Sequence, residues 1–325
     1  MSRPRHPGVL ALMLATILGA ALLIAGCGGD DEADPSALMP GSARLVEDPF
    51  SGGYPTYHDE SAGLRVILGT PDLGAGPSRV AFALFDDVGL IEFPGLLVRT
   101  YFYPEGPEAM RLGPLEQAVL DYHQFPLGSR GTFTGMLDLA SAGLWGIEVA
   151  VPRPDGSIES LLFPVLVKEQ STAPAVGAPA PRGEHRMALD VASLAELTTS
   201  SEPDPALYAE RINAALDRGR PFVITFASPA FCTTALCGPQ VELLSELVPT
   251  WGDRYSFIHV DLYENPHEIR GDLSRARRTP LLKTWGIESD EWTFVVGADG
   301  RIAARFESFV AREELEAALQ AALVP

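Results

Sequence analysis

Cysteine is scarce in this chain: three in 325 residues, at positions 27, 232 and 237. The first two hundred residues hold no pair to cross-link, so any core there must stand on packing alone. Positive charge is also in short supply, with 24 Lys and Arg against 43 Asp and Glu and a net charge of -19. So acidic a balance argues against nucleic acid as a partner and against simple adhesion to anionic lipid headgroups. No Gly-rich phosphate loop with its lysine occurs, no credible Ser-His-Asp set, and no internal repeat. What remains is a chain long enough for two ordinary domains, with its two downstream thiols only five positions apart.

The N-terminus carries a strong signal of its own. Arg3 and Arg5 precede an uncharged apolar run that begins near Val9 and ends Leu23-Ile24-Ala25-Gly26-Cys27. That is the layout of a secretory signal. Its small-small-Cys ending resembles the lipobox of bacterial lipoproteins, which implies that Cys27 becomes the lipidated first residue of the mature chain. A transmembrane anchor, or a signal cleaved without lipidation, are the alternatives. Asp30, Asp31, Glu32 and Asp34 follow and suit a solvated tether. Attachment through two or more acyl chains is stable where a single chain is not. The expectation is an extracytoplasmic protein, lipid-anchored at the cell membrane, in a compartment where disulfides persist.

Composition then divides the chain. Residues 1–26 read as the signal peptide, 27–58 as a flexible tether, 59–170 as a β-domain, 171–189 as a Pro/Ala-rich linker and 190–325 as a second domain. In the β-domain, turn signals separate strand-like runs at 64–68, 79–85, 96–103, 131–137, 145–151 and 161–167. Trp145, Ile147, Val149 and Val151 alternate as a half-buried strand requires. Pro154-Asp155-Gly156 predicts a hairpin between the last two. Six strands with little helix predict an all-β, immunoglobulin-like sandwich, a spacer or docking module. Beyond the linker, helix and strand patterns alternate, ending in a hairpin at Asp299-Gly300 and a helix over 311–323. That order predicts an α/β domain with a central mixed sheet flanked by helices.

Three stretches of this second domain carry a resemblance. Phe222-Val-Ile-Thr-Phe-Ala-Ser-Pro-Ala-Phe-Cys232 delivers a cysteine after a strand and an aromatic residue. Phe257-Ile-His-Val-Asp-Leu262 is a second strand, and Trp285 to Val296 approaches the final hairpin. In this order they resemble the thioredoxin-like superfamily, especially its membrane-anchored extracytoplasmic redoxins. The resemblance implies Cys232 as the nucleophilic thiol and Cys237 as the resolving one, acting on protein thiols or disulfides at the membrane surface without a cofactor. It also implies a substrate groove bordered by Phe231, Glu291 and Trp292.

Three departures qualify it. Four residues, Thr233 to Leu236, separate the cysteines where the family has two. Five positions along a continuous helix separate Cα atoms by about 8–9 Å, beyond the ~7 Å that a disulfide spans. Cys232 must then sit off the helix, or the first turn must be distorted. Thr225 stands where thioredoxins bury an acid. Glu291 stands where redoxins place a cis-proline, and a trans peptide is expected there because a non-proline cis bond costs about 2.5–4 kcal/mol. Pro239, after Cys237-Gly238, reads as a helix-starting or helix-kinking residue. Two other classes therefore stay open: a non-catalytic binding module with a structural disulfide, and a copper-binding accessory protein using His259 or His267 beside the thiols. Arg275, Arg277 and Arg278 read as a solvated face.

Overall fold

The structure, a computed structural model, describes residues 39, 41–48, 53–107, 110–125, 130–231 and 239–323. Residues 34–325 belong to one compact unit. Nine strands come first: β1 (Arg44–Val46), β2 (Thr56–Asp59), β3 (Leu64–Leu68), β4 (Gly76–Phe85), β5 (Gly95–Tyr103), β6 (Leu112–Gln124), β7 (Gly131–Leu139), β8 (Gly143–Pro152) and β9 (Ile158–Val167). They form one antiparallel sheet in the order β1-β2-β3-β4-β7-β6-β5-β8-β9. The sheet curls until its ends meet. Ala43 N donates to Leu162 O at 2.7 Å, and Lys168 N donates to Leu73 O at 2.9 Å. Tyr57 stacks on Phe163 with ring centroids 5.7 Å apart. The alternating residues Trp145, Ile147, Val149 and Val151 all point into the enclosed core, with Val80, Phe82 and Leu84 of β4 and Phe163 of β9.

This corrects the expected immunoglobulin-like sandwich, and the cause is β6. Without it, β3-β4-β7 and β5-β8-β9 would be separate sheets facing each other. β6 pairs with β5 from Gly95↔Asp121 to Phe102↔Leu112, and with β7 from Asp121↔Thr134 to Gln124↔Gly131. One strand thus joins both halves into a continuous ladder. Leu120 is its inward anchor, and Gly135 of β7 leaves the room it needs: a Cβ there would stand 2.8 Å from Leu120 Cγ.

The second half holds α1 (Ile212–Arg218), β10 (Phe222–Ala227), α2 (Gln240–Trp251), β11 (Ser256–Asp261), α3 (Pro266–Ile269), α4 (Pro280–Thr284), β12 (Trp292–Val296), β13 (Ile302–Glu307) and α5 (Arg312–Ala321). Its sheet has the order β11-β10-β12-β13, with β10 and β11 parallel and the other pairs antiparallel. Among the described residues only α2 and α5 reach ten residues. Prolines open α3, α4 and a 3-10 turn at Pro205–Tyr208 that precedes the two-turn α1. Among the described residues the chain is mostly β, thirteen strands against these short helices. The expected α/β thioredoxin-like fold is corrected with it.

A buried polar seam joins the two sheets. Arg79 on β4 donates to both carboxylate oxygens of Glu314 at 2.9 Å, to Glu307 O at 3.0 Å and to Phe309 O at 2.8 Å. Asp72 N donates to Glu307 Oε2 at 3.1 Å. The Asp72 carboxylate in turn accepts from Lys168 Nζ, Thr172 N, Ala173 N and Ser171 Oγ. The start of the Pro/Ala-rich segment is thereby pinned, and Ala173 and Ala180 are buried. Farther on, Gly177 N donates to Ile302 O and Ile302 N to Ala178 O, so the segment runs along the start of β13. Gly286, at φ +61°, meets it backbone to backbone: a Cβ would lie 2.1 Å from Thr172 O.

Candidate functional site

β10 is buried at all six positions, as a run of Phe, Val, Ile, Thr, Phe and Ala covered on both faces must be. Its register fixes what gathers at its C-terminal end. Ala227 pairs with Asp261, Phe226 with Trp292, and Trp292 with Glu307. The ends of β10, β11 and β13 and the start of β12 therefore share one sheet edge, where the chain leaves β10 through Ser228-Pro229-Ala230-Phe231.

That exit is held by a network anchored on the buried Ser228 and Asp261. Thr199 donates to Asp261 Oδ2 from its N at 2.8 Å and from its Oγ1 at 2.9 Å. Thr199 Oγ1 lies 3.1 Å from Ser228 Oγ and accepts from Ala230 N at 3.1 Å. Tyr263 N donates to Asp261 Oδ1 at 3.1 Å. Two positions before Asp261 on the same strand, His259 Nε2 lies 3.0 Å from Ala227 O and its Nδ1 2.8 Å from Tyr208 Oη. A carbonyl only accepts, so Nε2 carries the proton and Nδ1 accepts from the tyrosine hydroxyl. Burial pushes the imidazole pKa down, against the pull of Asp261. Burial likewise pushes the Asp261 carboxyl up, opposed by His259 and by its donors at Thr199 and Tyr263. The edge is thus lined beneath by a neutral imidazole and a carboxyl whose ionised form is disfavoured.

Cys27, Cys232 and Cys237, with Thr233 to Leu236 between the last two, lie outside the described residues. Phe231 is half-buried, its N donating to Ser228 O at 3.0 Å and its ring standing edge-on to Tyr263 at 5.9 Å. Glu291 and Trp292 do not border an open groove, because each is 1 % exposed. Trp292 stacks on Phe294, receives Arg305 at 5.4 Å, and donates from Nε1 to Ser289 Oγ at 2.9 Å. Glu291 has φ +65°, and its carbonyl accepts Ser308 N at 2.8 Å from a residue at φ +63°. Paired left-handed non-glycine residues mark local strain held by the surroundings. Tyr54 closes this side, its hydroxyl donating to Asp290 O. Among the described residues the one cis bond is Gly113–Pro114, so the peptides flanking Glu291 are trans, as expected.

Thr225 shares a 2.8 Å hydroxyl–hydroxyl bond with Thr293. His267 stands at the surface beside Glu268, while His259 is wholly engaged as above. Arg277 bridges Glu264 and Glu268, and Arg278 pairs with Asp290, both arginines being exposed. No group of three His, Cys, Asp or Glu able to hold a metal occurs among the described residues. No helix among them is long and apolar enough to cross a membrane. Sequence reasoning missed Thr199, Ser228 and Asp261. Their only trace is a hydroxyl-rich run, Thr198-Thr199-Ser200, and an acid closing the Phe257–Asp261 strand.

No family model matches the chain, and no curated protein matches it. Among solved structures, it is similar to a putative thiol:disulfide interchange protein DsbE from Chlorobium tepidum. The two are 15 % identical with a TM-score of 0.26, over 33 % of this chain and 82 % of that one.

Proposed function

We propose that this chain is a thiol–disulfide redox protein whose working pair is Cys232 and Cys237, held on the extracytoplasmic side of a membrane through a lipid on Cys27. The observation that supports it most is where the chain enters the cysteine segment. It does so off the end of a wholly buried strand, through a loop hydrogen-bonded at Ser228, Ala230 and Phe231, at a sheet edge that also holds a buried carboxyl and imidazole. Residues 228, 230 and 231 are thereby held where the cysteine segment begins.

The exchange runs as follows in the reducing direction. The Cys232 thiolate attacks one sulfur of a partner's disulfide, and the other sulfur leaves as a thiolate, giving a mixed disulfide. The Cys237 thiolate then attacks the Cys232 sulfur. The partner leaves with both thiols reduced, and two electrons have passed to it as the Cys232–Cys237 disulfide forms. The reverse sequence oxidises a partner dithiol. The partner class is a protein thiol or disulfide at the membrane surface.

Alkylation of the reduced protein near neutral pH is expected to modify Cys232 much faster than Cys237. A Cys237→Ala variant should accumulate mixed disulfides through Cys232, because the resolving thiol is gone. The burial of Glu291 and Trp292 favours a second reading, a recognition module with a structural disulfide. That reading predicts two sluggish thiols and no trapped adducts, and such a result would overturn the redox proposal. Anchoring has its own test. Cys27→Ala should release the protein from membranes or leave an unprocessed precursor, and a fully processed variant still sedimenting with membranes would refute the lipid.

A further inference from the structure

We infer that Thr199 is a positioning residue for the reactive thiol, acting through the chain that leads into the cysteine segment; this rests on the redox reading above. A threonine hydroxyl has one proton to give and two lone pairs to offer. Here all three are used. The proton goes to Asp261 Oδ2 at 2.9 Å, the oxygen that also accepts the Thr199 backbone N–H. The lone pairs take Ala230 N at 3.1 Å and the Ser228 hydroxyl at 3.1 Å. A single oxygen therefore ties the end of β11 to both polar groups of the exit loop.

Asp261 serves Thr199 in turn. The Thr199 backbone N–H and side-chain O–H both end on the same carboxylate oxygen, which fixes the hydroxyl's rotamer and so aims its lone pairs at the loop. The other oxygen is held by Tyr263 N. Tyr263 also presents its ring to Phe231, the last residue before Cys232. The loop is thus gripped at residues 228, 230 and 231 by groups from a strand and a segment that are distant in sequence. A network satisfied at every member has one arrangement, and losing one member frees the rest.

The test is the ratio of alkylation rates at Cys232 and Cys237, with the pH midpoint of the Cys232 rate, in full-length reduced protein. Thr199→Ser keeps the hydroxyl and should hold both readings within about twofold of wild type. Ser228→Ala removes one of the three bonds and should lower the ratio by a few-fold. Thr199→Val removes all three and should lower it about tenfold or more while moving the midpoint, a change matching the net worth of one to two hydrogen bonds. Thermal melts run alongside. A merely structural Thr199 would lower the melting temperature yet leave ratio and midpoint untouched in the folded protein, and that outcome overturns the inference. If Thr199→Val does not fold, Ser228→Ala against Thr199→Ser decides the matter by the same ratio. Slow, equal thiols in the wild type would instead sink the redox reading itself, which separates the two failures.

Discussion

Arg79→Ala is expected to lower the unfolding free energy by about 3–5 kcal/mol, the loss typical of breaking a buried ion pair on one side. The arginine side chain is 9 % exposed and that of Glu314 24 %, so this is not a surface pair. Its guanidinium makes four bonds, two to the Glu314 carboxylate and two to the carbonyls of Glu307 and Phe309. The ring of Phe306 lies 5.6 Å from it. Removal leaves those carbonyls without this donor and Glu314 ionised without its counter-charge. Burial works to raise the Glu314 pKa, yet Arg79 and Ala311 N hold it below the usual carboxylate range. Urea unfolding reads the effect as a fall in midpoint at constant slope. A loss under about 1 kcal/mol would mean that the pair behaves as a solvated one. Arg79→Met combined with Glu314→Leu should recover most of the deficit, because an apolar pair of similar size needs no desolvation of charge.

The second large effect is on pH. Burial raises the Glu307 carboxyl from its ordinary value to about 8, with the Asp72 charge adding to the rise and the Ser289, Asp72 N and Arg305 contacts opposing it. The folded protein therefore holds this proton more tightly than the unfolded chain does. Stability from that proton is full below about pH 4.5 and is lost progressively as pH rises to about 8, a span of about 3–5 kcal/mol. Asp72 acts in a separate window. Despite the opposing effect of burial, its hydrogen bonds from Ser171, Thr172, Ala173 and Lys168 lower its pKa, so its contribution disappears only as pH falls through the acid range. Glu307→Gln, which is never ionised, should flatten the profile between pH 5 and pH 8 relative to wild type. Urea midpoints of both proteins across that window check it, and parallel profiles would show that Glu307 is ionised throughout. The affected groups face the seam, since Asp72 and Glu307 meet across it at 3.1 Å.

Much of the fold was legible because it is local. The alternation of Trp145 to Val151 and the hairpin at Asp155-Gly156 depend on neighbours, and β8 and β9 pair without interruption from Gly143↔Val167 to Pro152↔Ile158. β6 was illegible for the opposite reason. Its first half carries Gly113, Pro114, Glu116 and Gln117 and is largely exposed, so it lacks the apolar alternation that announces a strand. Missing one strand changed a single curled sheet into a sandwich. At the site, β10 announced itself, but the group that holds its exit did not. Thr199 lies 62 positions before the Asp261 it binds, and nothing in either neighbourhood names the other. The burial of Glu291 and Trp292 was equally illegible, since the Tyr54 that donates to the adjacent Asp290 O lies 236 positions away from it.

β6 also makes the nine-stranded sheet share a single frame of reference. Side chains along a strand alternate faces, so a slip of one residue exchanges the inner set for the outer. In β6 such a slip would turn Leu120 toward water and bring Val119, 60 % exposed, inward. The error would not stay local. Residue 121 is at once the partner of Gly95 on β5 and of Thr134 on β7, so a slip of β6 against either neighbour would offset one flank of the sheet against the other. The relative register of the two flanks is therefore set by how faithfully this one strand pairs on both of its sides.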